Sequence, residues 1–66
     1  MEIYNLRRGD LFKITSELCF VPPGEPEPDR DKIYAHDKID GMYSINYDAD
    51  KNVVYLAAWT LVEVIE

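Results

Sequence analysis

The run PPGEPEPDRD, from Pro22 to Asp31, constrains this chain more than any other stretch. It holds all four prolines of the protein. Proline donates no backbone hydrogen bond and has no place inside a sheet ladder. Apart from the proline rings the run offers nothing to bury, because Glu25, Glu27, Asp29, Arg30 and Asp31 are charged. It therefore reads as an exposed acidic loop over 22–31, partly extended and polyproline-like. Regular structure must stop before it and start again after it. Gly9, Gly41 and clusters of aspartate cut the remainder further, and no long apolar period of 3.6 residues survives. Short apolar pieces between such breakers are strand signals, and the chain reads as all-β.

The expected strands follow from that punctuation. Leu11–Thr15 places Phe12 and Ile14 on one face and Lys13 on the other. Leu18–Val21 is a further apolar piece, ended by Pro22 and Pro23. Lys32–His36 reads as a short strand with Ile33 and Ala35 on one face, Tyr34 on the other, and His36 closing it at the surface. Asp37, Asp40 and Gly41 then supply a turn. The clearest unit is a hairpin, in which two β-rich runs flank Asp48-Ala49-Asp50-Lys51-Asn52. A four-residue loop that pairs Asp48 with Val53 sets Tyr47 against Val54, Ile45 against Leu56 and Tyr43 against Ala58, a wholly apolar face. Shifting the register by one residue sets Ser44 and Asn46 against Leu56 and Val54, a poorer apolar match. Trp59 and Thr60 make a tight corner, and Leu61–Ile65 a final strand with Val62 and Val64 inward. This order predicts a small five-stranded antiparallel SH3-like barrel.

Sixty-six residues build one domain, spanning 1–66, near the lower limit for a core without staples. Cys19 is the only cysteine, which rules out an internal disulfide and a cysteine-rich zinc site. Thirteen acidic side chains against seven basic give a net charge of −6. Residues 1–15 are close to balanced, with Arg7, Arg8 and Lys13 against Glu2 and Asp10, so the acidic excess lies beyond them. Such a surface disfavours nucleic acid and anionic membranes, and it suits a basic protein partner. No run approaches the ~20 apolar residues of a membrane helix. LRRGDLFKI carries paired arginines like an export signal, but Glu17, Pro22 and Pro23 interrupt the apolar region such a signal needs. One free thiol without a signal peptide predicts the cytoplasm.

Motifs for chemistry are few. Asp48-x-Asp50-x-Asn52 matches the opening ligands of a calcium loop, then fails where Val53 replaces the glycine and Trp59 the bidentate glutamate. It reads as turn chemistry. Arg8-Gly9-Asp10 likewise reads as a turn. His36 and Cys19 are a lone histidine and a lone thiol with no oxyanion donor to accompany them. No metal site, cofactor or enzymatic activity is expected. Two candidate contact surfaces remain. Tyr34, Tyr55 and Trp59, if outward, form an aromatic patch. Glu25, Glu27, Asp29 and Asp31 form the densest acidic run.

Taken together, Met42-Tyr43, Asp48-x-Asp50-x-Asn52 and Leu56-Ala57-Ala58-Trp59-Thr60, after the opening Leu6-x-x-Gly9-Asp10-x-Phe12, give a recognisable pattern. In these stretches the chain resembles small proteins encoded by tailed bacteriophages. The likeness covers the first 15 and last 26 residues and leaves the central loop out. It implies a phage origin and a compact fold, and it carries no biochemical activity with it. Lys51 stands where that pattern expects a hairpin glycine. The ALYDY-like stretch of peptide-binding SH3 domains is absent, so proline-peptide recognition is not implied.

The function these observations predict is a non-catalytic phage accessory protein that binds a host or phage protein in the host cytoplasm. Two alternatives belong beside it. One is an acidic DNA mimic that inhibits a host nucleic-acid enzyme, and the other is a structural, virion-associated protein. Oligomerisation is open to a chain this small.

Overall fold

The computed structural model describes residues 1–65 and is all-β. One turn of 3-10 helix, Ile3–Asn5, precedes five strands: β1 Leu11–Ile14, β2 Tyr34–Asp40, β3 Tyr43–Tyr47, β4 Val53–Ala57 and β5 Val62–Ile65. All neighbours are antiparallel, in the order β4-β3-β2-β1-β5. This is the order of an SH3-like barrel, rolled from one sheet. No ladder joins β4 to β5 among the described residues, so hydrogen bonds leave the roll open there.

Phe12 and Ile14 of β1 are buried while Leu11 and Lys13 are exposed, as the alternation of that strand requires. They meet Ile3, Leu6, Tyr34, Leu56 and Val62 in one core, with Cys19, Val21 and Val54 packed at its border. The Phe12 and Tyr34 rings lie 5.9 Å apart. The N-terminal turn closes the corner between β4 and β5. Ile3 donates to the Thr60 carbonyl at 2.9 Å and Tyr4 to that of Ala58 at 3.1 Å, while Val62 donates to the Met1 carbonyl at 2.8 Å. The corner itself is tied by Thr60, whose hydroxyl donates to the Ala57 carbonyl at 2.6 Å.

The hairpin exists, but its register differs by one residue from the expected one. Asp48 pairs with Asn52, not with Val53: the Asp48 amide donates to the Asn52 carbonyl at 3.1 Å, and the Lys51 amide to the Asp48 carbonyl at 3.0 Å. The loop therefore holds three residues, with Lys51 at φ 65° in the left-handed region where glycine would be expected. That single residue turns β3 over relative to β4, whose Val54 and Leu56 keep the inner face expected of them. Ser44 now faces Leu56 and Asn46 faces Val54, while Tyr43, Ile45 and Tyr47 pair with Ala57, Tyr55 and Val53 on the outer face.

Burial of Ser44 and Asn46 is tolerable because each polar atom is satisfied. The Ser44 hydroxyl donates to the Leu56 carbonyl at 2.9 Å, and the Asn46 amide to Ser44 Oγ at 3.0 Å and to the Val54 carbonyl at 3.2 Å. Asn46 Oδ1 lies 2.9 Å from His36 Nδ1, directly across from it on β2. The Asn46 amide is already donating, so its oxygen accepts and His36 Nδ1 carries the proton. His36 is thus a buried member of this network, not a surface residue at a strand end.

Further expectations are corrected. β2 runs on through Asp37–Asp40, where a turn was expected, because a bulge at Asp37 absorbs the odd residue. The Asp37 carboxylate meets Arg8 Nε at 2.9 Å and the Tyr47 hydroxyl at 3.5 Å. The turn falls instead at Gly41, whose φ of 64° suits glycine. Leu18–Val21 forms no strand, since one bond alone, from the Ala57 amide to the Phe20 carbonyl at 2.9 Å, attaches it to β4. Finally, Ile33 and Tyr34 take opposite sides as expected, with Tyr34 the inward one, and Val64 is exposed rather than inward.

Candidate groove between the acidic loop and strand β4

The long connection from β1 to β2 does not hang free. The Arg30 guanidinium donates to the carbonyls of Ser16 and Glu17, tying the far limb of the loop to its near limb. Asp29 caps the turn into β2 by accepting from the Asp31 amide at 2.8 Å. Tyr34 supplies the second anchor. Its hydroxyl donates to the Asp29 carbonyl at 2.8 Å and accepts from the Asp29 amide at 2.9 Å. Burial raises the Tyr34 phenol pKa, partly offset by the amide bond from Asp29.

These anchors hold Glu25–Asp29 opposite β4 and the hairpin turn, with a groove of about 370 Å³ between. One wall is Glu25, Pro26, Glu27, Pro28 and Asp29; the other is Asp48, Asn52, Val53, Val54 and Tyr55, with Lys32 and Tyr34 completing it. The size falls within the range of specific binding clefts, ~300–1,000 Å³. Four acidic residues, Glu25, Glu27, Asp29 and Asp48, border it against the single cation of Lys32. Asp48 is held as a carboxylate. Its Oδ1 accepts from the amides of Asp50 and Asn52 at 2.9 Å each, and its Oδ2 from the Asn52 side chain at 3.3 Å. These bonds, the Asn52 amide foremost, lower the Asp48 pKa against a smaller opposing effect of burial.

The contact residues expected from sequence separate into three places. Glu25, Glu27, Asp29, Tyr34 and Tyr55 all border the groove. Tyr34 does so as a buried support, so its expected outward placement in an aromatic patch is corrected. Asp31 borders a neighbouring hollow with Ile33, Asp48 and Asp50. Trp59 lies outside the groove, half exposed at the corner, its ring 6.2 Å from that of Phe20. Of the expected aromatic surface, Tyr55 alone joins the acidic one as a partly exposed contact. Sequence reasoning missed Asp48, Asn52 and Val53 as groove residues because their placement depends on the hairpin register.

The strand wall has a property of its own. In an antiparallel ladder, residues alternate between pointing both backbone groups at the neighbour and pointing both away. The Ala58 amide reaches the Met42 carbonyl on the β3 side, and the Ala57 amide reaches Phe20 on the other side. By that alternation Val53 and Tyr55 turn their N–H and C=O groups away from β3, towards the groove. No other backbone hydrogen bond reaches them among the described residues.

No family model, curated protein or solved structure matches this chain significantly. Among the described residues no group of three or more His, Cys, Asp or Glu side chains is placed to hold a metal ion, and no helix is long and apolar enough to cross a membrane.

Proposed function

We propose that this is a non-catalytic binding module that docks a protein partner in the groove between its acidic loop and β4. The observation that carries this reading is convergence. Glu25, Glu27, Asp29 and Tyr55, singled out for separate reasons, border one groove with Asp48. A docking site needs an apolar contact and a few fixed polar groups, and the groove supplies both. Its walls are rigid before binding, because prolines stiffen one and the sheet the other, which limits the entropy lost on association. A phage origin, resting on the sequence resemblance alone, and action inside the host cell complete the proposal.

DNA mimicry is the less supported alternative. A mimic needs a continuous exposed array of carboxylates, whereas Lys32 and the side chains of Val53, Val54 and Tyr55 interrupt this one. A virion-associated role has no feature of the structure in its favour.

Affinity capture from host and phage-infected lysates with immobilised protein tests the proposal. Changing Glu25, Glu27 and Asp29 to their amides, or Tyr55 to Ala, should abolish capture of the specific partner. Trp59→Ala and Asp31→Asn, outside the groove, should leave it intact. Loss with Trp59→Ala alone would move the interface to the corner and defeat the groove assignment.

A further inference from the structure

The geometry points to strand addition: we propose that the groove takes an extended, lysine- or arginine-bearing segment of the partner as a sixth strand on the free edge of β4. This inference rests on the groove being the docking site, and it specifies what binds there and how.

Three observations lead to it. First, Val53 and Tyr55 present paired backbone donors and acceptors to the groove. They are two residues apart, ~7 Å at the usual strand rise, which is the spacing of residues i and i+2 in an extended peptide. An edge of this kind templates pairing with another chain. Second, the chain already uses the same edge once. The Phe20 carbonyl accepts from the Ala57 amide at 2.9 Å, so a strand entering beyond Phe20 continues a pairing already begun. Third, the wall facing that edge carries the carboxylates of Glu25, Glu27 and Asp29. Long basic side chains on the incoming strand reach across to them, while a second copy of this acidic chain is repelled.

Each partner in this arrangement has a distinct task. The backbone of β4 fixes direction and register and is indifferent to the sequence it pairs with. The acidic wall selects charge. Tyr55 borders the same space and lies beside Ile45 on the outer face of the hairpin, where it covers an apolar side chain of the guest.

The test uses the full chain and a blocked heptapeptide alternating lysine with valine, followed by amide-resolved NMR. Binding should shift the amides of Val53 and Tyr55 and slow their hydrogen exchange. N-methylation of the peptide residues facing them should weaken binding on the order of tenfold per hydrogen bond lost. A glutamate-for-lysine peptide should not bind. Val53→Pro removes only an outward N–H at the start of an edge strand, a tolerated place for proline, and should likewise weaken binding with the spectrum otherwise kept.

If the lysine peptide binds, but Val53 and Tyr55 stay unprotected and N-methylation has no effect, strand addition is wrong while the groove remains the docking site. If the lysine peptide does not bind, the basic-strand assignment is overturned, and partner capture still reports independently on the groove. Protection of these two amides in the protein alone, growing with concentration, would give the edge to a second copy and overturn the proposal.

Discussion

The side chains of His36, Asn46 and Ser44 form a chain of hydrogen bonds inside a core too small to tolerate an unpaired polar atom. Asn46 is the hinge of that chain, with its oxygen on His36 and its amide on Ser44 and on the Val54 carbonyl. Asn46→Ala should destabilise the fold by ~1–3 kcal/mol or more, because it strands buried groups without partners. Urea unfolding of the variant measures this, and an unchanged midpoint would mean that the network contributes nothing. Asp48 makes a pH-dependent contribution. Its folded pKa is lowered by the bonds it accepts from Asn52 and Asp50. A carboxylate of that kind stabilises above its unfolded pKa, ~3.9, and the contribution is lost as pH falls through the lower folded value. Asp48→Asn should therefore flatten the fall in melting temperature below about pH 4 and change little in that slope near neutrality.

At the scale of elements, the hairpin shows where sequence was legible and where it was not. Strand type, the turn at 48–52, the buried face of β1 and the corner at Trp59 were all readable, because alternation and turn residues are local signals. The register was not. Apolar matching favours Ile45 against Leu56, and only the positive φ of Lys51 and the bonds of Ser44 and Asn46 reveal the alternative. A left-handed lysine carries no mark in the sequence, and a buried asparagine looks like a surface one until its partners are known. The bulge at Asp37 hid β2 in the same way. Lys51→Gly should stabilise the protein by ~0.5–1 kcal/mol, the left-handed cost relieved less the entropy glycine adds to the unfolded chain. Thermal unfolding decides this, and a lower melting temperature would show that the Lys51 side chain has a role the backbone does not explain.

For the molecule as a whole, Leu56 is the clearest stability probe, fully buried and a member of the core cluster. Leu56→Ala should cost ~2–5 kcal/mol, a large part of the total stability of so short a chain. Circular dichroism on heating should show substantial unfolding well below the wild-type transition. Partner binding should weaken as salt rises, since exposed charges are screened beyond ~8 Å at physiological ionic strength. Binding insensitive to salt would mean that the acidic wall is not part of the interface. The groove was only half legible: its acids stand out in the sequence, but the strand edge opposite is made of backbone, which every sequence shares.

Arg30 and Tyr34 fasten the connecting loop at its return, and Phe20 touches β4 at its departure, so the stretch from Pro22 to Pro28 is held from outside itself. Its own side chains contribute nothing to the core cluster. Such a segment can drift, lengthen or be exchanged by recombination while inheritance preserves the barrel beneath it. Under the strand addition proposed above, the charges that meet an added segment can therefore change without any change in how the chain folds.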